Sequence, residues 1–383
     1  MEEEKKRRRR GRGEGTIYKR KDGRWAADIT VGYENGKRLR RTFYGKTRQA
    51  VSDQLKEAQG KQVRGEVIPT GKQTVGDFLD HWLEHSIKPY RSPRTVLSYE
   101  SQIKTHIKTA LGHRLLRKLR GEHVQGFVSG LLKKGLSPRS VSYARAVLRM
   151  ALQTACERKL LPFNPAADGV AVPSVRRRVV EAITIERTRA ILEAIEGHRL
   201  AALFTLMLYS GLRRGEALGL RWSDVDLERR TLVVAQTLQR LNGELVFGDT
   251  KTEQSRRVII LASGAVSSLR EYRLRQNSER IGLGPDWTET GLVFTTECGM
   301  PVDPRNVKRV FDRLLKDAKL PHMRLHDLRH GCATWLLAEG VDLKTISTIL
   351  GHSSIRVTAD VYAHVSQQQI GAAMDRLDQS MAK

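Results

Sequence analysis

Residues 326–365 read HDLRHGCATWLLAEGVDLKTISTILGHSSIRVTADVYAHV, and the rest of the chain is organised around them. His326 and Arg329 are three positions apart and fall on one face of a helix. Leu328, Cys332, Trp335 and Leu336 recur at helical spacing and predict the core-facing stripe of that helix. A second helix is predicted over Leu343–Leu350. It stops at Gly351, the residue type that takes the left-handed position after a helix without a Cβ penalty. His352 follows directly, and Tyr362 lies ten residues further on, among small and polar neighbours. Two histidines, an arginine and a tyrosine, spread over neighbouring short elements, point to convergence on an anionic group.

Phosphoryl transfer to a tyrosine wants such a set. A phenol has a pKa of about 10, so it attacks poorly unless its proton is removed and the phosphate charge is neutralised. Arginine offers a planar fork of donors matched to two phosphate oxygens, and imidazole can take the proton or hold an oxygen. In order and spacing, His326-x-x-Arg329, Leu350-Gly351-His352 and Tyr362 resemble the carboxy-terminal motifs of the tyrosine recombinase (phage integrase) family. Each motif alone has a plain explanation: a surface pair, a capped helix, a packed ring. All three in this order do not.

An earlier stretch extends the resemblance. The apolar run Leu200–Leu208 predicts a buried helix, broken at Ser210-Gly211-Leu212. Arg213 then opens a new helix with Glu216 three positions on, so the two side chains can pair. Gly-Leu-Arg-x-x-Glu-x-Leu matches the family's first catalytic box. The resemblance makes Arg213 the first phosphate-binding arginine and Glu216 an acidic residue that orients its neighbours. Arg214, next in sequence, projects from another side of the helix. Residues 231–261 read as a three-stranded meander with a hairpin turn at Asn242-Gly243 and a second turn over Thr250–Ser255. Lys251 sits in that second turn. A lysine there is ordinarily just solvated; the resemblance gives it the role of protonating the departing 5′ hydroxyl. By the same resemblance Tyr362 attacks the scissile phosphate to form a 3′-phosphotyrosyl bond, Arg213 and Arg329 stabilise the transition state, His326 manages the tyrosine proton and His352 holds a non-bridging oxygen. Energy is kept in the covalent link, so neither metal nor nucleotide is implied, and no Gly-x4-Gly-Lys-Ser/Thr loop occurs. His326 and His330 have the spacing of zinc ligands, but no third ligand accompanies them.

Composition agrees with a polyanionic partner. The 383 residues carry 68 Lys and Arg against 42 Asp and Glu, a formal charge of +26 spread along the chain. No apolar run approaches the roughly 20 residues of a membrane helix, so a soluble, cytoplasmic, nucleoid-associated protein of a bacterial host is expected. The three cysteines are far apart and lack ligand spacing, which argues against disulfides and zinc.

The expected architecture is multidomain α+β. Residues 1–60 open with a charge run, MEEEKKRRRRGR, then alternate strand and turn around Lys21-Asp22-Gly23 and Glu34-Asn35-Gly36, followed by a helix from about Thr47 to Gln59. This three-stranded sheet backed by a helix resembles the family's arm-binding domain, with Arg24 and Arg40 as DNA-contacting bases. A linker at 61–73 leads to a helical bundle at 74–161, with Thr74 as an N-cap and Ser-Pro helix starts at Ser92-Pro93 and Ser137-Pro138. By position it resembles the SAM-like core-binding domain, and Arg94, Arg139 and Arg145 lie opposite its apolar stripes. A second linker, 162–180, precedes a mainly helical catalytic domain at 181–383 with a small antiparallel sheet. The resemblance implies a site-specific recombinase acting on double-stranded attachment sites to integrate or excise a phage or other mobile element. It also implies a homotetramer on DNA, with an excisionase and a host DNA-bending protein as accessory partners. Residues 363–383 carry a helical apolar spacing that either packs on their own domain or passes to a neighbouring protomer. Two other readings use the same residues: a relaxing enzyme of the type IB topoisomerase kind, and a DNA-binding regulator without catalysis. The second has no need for Tyr362.

Overall fold

The computed structural model describes residues 15–34, 37–63, 73–167, 169–174, 184–249, 256–351, 378 and 381. The chain divides into two compact units, residues 1–177 and 178–383.

In the first unit, β1 (Thr16–Lys19), β2 (Trp25–Glu34) and β3 (Lys37–Gly45) form an antiparallel sheet in the order β1-β2-β3. Gly23 turns the first hairpin with φ +80, and the Asp22 carboxylate accepts from the Arg24 backbone N–H at 3.2 Å. α1 (Arg48–Val63), four residues longer than its predicted end, backs the sheet through Ala27, Ile29, Val51, Leu55 and Ala58.

The helical bundle follows. Thr74 caps α2 (Val75–Trp82) reciprocally: its hydroxyl accepts from the Asp77 N–H at 3.1 Å, and the Asp77 carboxylate accepts from the Thr74 N–H at 3.1 Å. A wider turn over Leu83–Ile87 continues that helix. α3 (Pro93–Gln102) likewise runs through Ile103–Ile107 into α4 (Lys108–Leu111), so the helix that starts at Ser92-Pro93 continues to Leu111. α5 (Gly121–Lys133) and α6 (Pro138–Glu157) complete the bundle. Its core joins Phe78, Leu79, Trp82, Ile103, Ile107, Val124, Val128, Leu148 and Leu152. Trp82 stacks on Tyr99 and donates its indole N–H to the Thr154 hydroxyl at 3.1 Å, so its one polar atom is satisfied.

In the second unit, α7 (Ile185–Ile195) and α8 (Ala201–Ser210) lead to the short α9 (Arg214–Leu218). α8 is apolar on all sides because it is central: it packs against α10 (Ser263–Leu283) and α12 (Asp327–Ala338). α11 (Pro304–Asp317) adds Val307, Phe311 and Leu315 to the same core. α12 and α13 (Leu343–Leu350) share a smaller cluster of Ala333, Leu337, Ile346 and Leu350.

The expected three-stranded meander is two sheets. β4 (Val225–Asp226), β5 (Thr231–Val234) and β8 (Arg257–Ile260) form one, in the order β4-β5-β8. β6 (Gln236–Leu241) and β7 (Glu244–Asp249) form a separate hairpin. The chain changes partner at Ala235: Val234 pairs with Arg257, whereas Gln236 pairs with Asp249. The inward alternation of Leu232, Val234, Gln236 and Leu238 runs through Ala235 unbroken, which is why the sequence reads as one strand.

Candidate active site

Two helices end at left-handed glycines beside one another. α8 stops at Gly211, φ +62, and α13 at Gly351, φ +64. A Cβ on Gly211 would lie 2.4 Å from Leu350 Cδ2, so the two chain ends meet closely enough to exclude any side chain there. Helix C-termini carry partial negative charge and carbonyls without intrahelical partners. Arginines meet both needs here.

Arg329, on the first turn of α12, is 2 % exposed. It donates from Nη1 to the Gly211 carbonyl at 2.7 Å and from Nη2 to the Leu350 carbonyl at 2.6 Å, tying the two helix ends together. Arg213, immediately before α9, donates from Nη2 to the Gly351 carbonyl at 3.0 Å and remains partly open to solvent. Its Nη1 donates to Glu216 at 2.7 Å and its backbone N–H to the other carboxylate oxygen at 3.0 Å. Glu216 is buried. Burial opposes its charge, but Arg257 first and Arg213 second outweigh that, holding the carboxyl below its ordinary range. Arg214 points away, donating to the Pro304 carbonyl at 3.1 Å.

His326 precedes α12 directly and faces His330 edge-on, ring centroids 5.0 Å apart. Its side chain keeps exposure to solvent. Loss of water, then the neighbouring His330 and Arg329, bring its pKa down to about 4. It is therefore neutral at physiological pH and able to accept a proton. Cys332 has the opposite fate: burial raises its thiol to about 12, and the thiol only donates weakly to the Tyr209 carbonyl.

The structure thus brings together Arg213, Glu216 and Arg329, with His326 on the same helix start as Arg329. Lys251, His352 and Tyr362 lie outside the described residues, as do the Asn35-Gly36 turn and almost all of the tail after Tyr362. Among the described residues no cluster of three or more His, Cys, Asp or Glu has the arrangement of a metal site, and no helix is long and apolar enough to cross a membrane.

The expected DNA-contacting arginines divide. Arg24, Arg40, Arg94 and Arg139 are exposed. Arg24 and Arg20 lie over the Tyr44 ring, at 6.0 and 5.1 Å, giving β3 a basic and aromatic edge. Arg145 departs from expectation: it is half-buried and donates to the Ala167 carbonyl, holding the segment after α6 against the bundle. Its position on α6 places it between the apolar stripe and the open face, where a long side chain can turn either way.

One residue of the site, Arg257, belongs to the stretch after Lys251 that resembles the family, but the sequence assigns it no role. Arg257 begins β8, its side chain 6 % exposed, and donates to both Glu216 and the α13 end. Strand period two puts Arg257 on the face of buried Ile259 and opposite exposed Val258 and Ile260, but those two are apolar as well, so the sequence does not mark which face is inner.

Comparison with known proteins follows the same division. Residues 181–369 match the phage integrase family, and residues 74–132 match the phage integrase N-terminal SAM-like domain. A tyrosine recombinase XerC-like protein of Caldanaerobacter subterraneus subsp. tengcongensis is 31% identical over 369 residues, covering 91% of this chain and 94% of its own. An integrase of Streptomyces ambofaciens is 32% identical over 369 residues, covering 92% of each. Among solved structures, the Tn1549 transposon integrase in complex with a circular intermediate DNA superposes with a TM-score of 0.69 at 22% identity, over 80% of this chain and 99% of that one, a likeness of fold. With relatives above 30% identity along nine-tenths of its length and with Arg213 and Arg329 brought together from the matching motifs, the chain belongs to the phage integrase family of tyrosine recombinases, enzymes that cleave and rejoin DNA.

Proposed function

We propose that this chain is a site-specific integrase that cleaves double-stranded DNA at attachment sites through Tyr362, integrating or excising a mobile element. The observation that carries the reading is the junction of α8 and α13, where Arg213 and Arg329 sit within one hydrogen bond of the same two successive residues, Leu350 and Gly351. Their positive charge, gathered where a phosphate would bring two negative oxygens, is the electrostatic half of the chemistry. Arg213, the more open of the two, receives the phosphate; Arg329, buried between two helix ends, fixes the frame and adds its field.

The Tyr362 oxygen attacks phosphorus and its proton leaves toward neutral His326. The bond from phosphorus to the 5′ oxygen breaks, and the departing oxygen takes a proton from Lys251. His352 holds a non-bridging oxygen. Reversal of these steps with a 5′ hydroxyl from a second duplex rejoins the strands. The reading of residues 1–60 as an arm-binding domain, 74–161 as a core-binding domain and 181–383 as the catalytic domain is supported by separate apolar cores in each. Curated relatives that are recombinases and integrases favour this reading over a relaxing topoisomerase. A tetramer on DNA is part of the proposal; a lambda integrase tetramer bound to a Holliday junction has a related fold.

The test uses DNA flanking this protein's own gene, incubated with purified protein and a nicked trapping substrate. Wild type is expected to form a denaturation-resistant protein–DNA adduct. Tyr362→Phe is expected to bind that DNA equally and form none. Equal adduct formation by the variant would overturn Tyr362 as nucleophile, and tight binding by the wild type without any adduct would favour a non-catalytic regulator.

A further inference from the structure

We propose that Arg257 is a positioning residue of this site, acting by clamping the end of α13 to Glu216 and through Glu216 to Arg213. The inference rests on the integrase reading above, since its consequence is measured in DNA cleavage.

Three successive carbonyls close α13, and each accepts from a different arginine. Ile349 accepts from Arg257 Nε at 2.7 Å, Leu350 from Arg329 Nη2 at 2.6 Å, and Gly351 from Arg213 Nη2 at 3.0 Å. Arg257 bridges this end from β8 to the carboxylate on α9 and is closed to substrate: its Nη2 donates to Glu216 at 3.0 Å, and its side chain is 6 % exposed. It also occupies the space beside Gly351, where an added Cβ would lie 2.8 Å from its Nη1 and 3.1 Å from its Cζ. Arg257 therefore sets where the chain leaves α13, one residue before His352 in the sequence. Glu216 carries the constraint onward, because the same carboxylate accepts from the Arg213 guanidinium and backbone. A planar fork is needed for this: it reaches a carbonyl and a carboxylate in fixed directions, which the point charge of a lysine cannot do at once.

The experiment measures single-turnover adduct formation on the nicked attachment substrate, DNA affinity by mobility shift, and the thermal unfolding midpoint, for full-length wild type, Arg257→Lys, Glu216→Gln and the double variant. Arg257→Lys keeps a positive charge beside Glu216. It is expected to bind DNA within about twofold of wild type and unfold within a few degrees of it, yet form adduct on the order of 10²-fold more slowly, the scale of a misplaced reacting group. The double variant is expected to be no slower than the slower single variant, because both act along one path. Arg257→Lys cleaving at the wild-type rate, or losing rate only in proportion to its unfolded fraction, would overturn the inference and leave the integrase reading standing. Absence of adduct with the wild type would overturn both.

Discussion

The helical bundle and the junction of α8 with α13 are held together by opposite means. In the bundle, apolar stripes on α2, α3, α5 and α6 meet in a core that is mostly hydrocarbon, with the Trp82 N–H satisfied by a threonine hydroxyl. Such contacts are non-directional and tolerate adjustment. At the junction, three guanidinium groups, one carboxylate and the ends of two helices are joined by directed hydrogen bonds. The charged groups there gain nothing from burial as such; a buried charged group is favourable only while each partner remains. The lesson is a division of labour. The bundle can supply stability without fine placement, whereas the junction accepts the cost of buried charge to fix its donors in place.

Truncating the bundle core should separate the two most widely. Trp82→Ala removes a side chain 1 % exposed together with its hydrogen bond to the Thr154 hydroxyl, and should cost about 3–5 kcal/mol, read in urea unfolding by circular dichroism. Adduct formation per folded molecule should be unchanged. A fall in that intrinsic rate would break the distinction between the regions.

At the junction the balance reverses. Gly351→Ala places a side chain at φ +64, costing about 1–2 kcal/mol of backbone strain, and drives its Cβ against Arg257. The stability loss should be smaller than for Trp82→Ala, but adduct formation should fall by at least tenfold in the folded protein. Single-turnover cleavage with matched unfolding curves checks both halves.

The smallest effect should appear with acid. His326 has a folded pKa of about 4, below the ordinary value of 6.5, and Glu216 is likewise depressed. A depressed folded pKa means that the unfolded chain binds the proton first, so the stability each contributes is present above its unfolded pKa and lost as pH falls. Wild type should therefore lose stability between about pH 6.5 and 4 through His326. His326→Gln should lose less over that window in thermal melts, and NMR should place the His326 midpoint near 4. A midpoint near 6.5 would show that the ring is as well hydrated as a surface histidine.

Much of this molecule was legible in its local patterns. Thr74 and Asp77 announce a cap because both partners lie within one turn; Gly211 and Gly351 announce helix ends because only glycine takes that backbone freely; Arg213 and Glu216 announce a pair because three residues make nearly one turn of helix. The order of Arg213, His326, Arg329, His352 and Tyr362 was readable for the same reason that it resembles a family. The split at Ala235 was not readable, since strand pairing is chosen by distant partners while both halves keep the same alternation.

What the sequence by itself determined was therefore every feature set within a turn or two: caps, stops, stripes and the residue types the chemistry requires. The tertiary structure alone decided that Arg329 joins Gly211 to Leu350, that Arg213 reaches Gly351 and that Arg257 reaches Ile349, across 118, 138 and 92 residues of chain for the bonds to Gly211, Gly351 and Ile349. It decided equally that Arg145 turns inward to Ala167. The physical reason is common to all of them. A guanidinium finds its acceptor by position in space, and the carbonyls it needs are present at every residue, so no spacing in the sequence marks which ones it will meet.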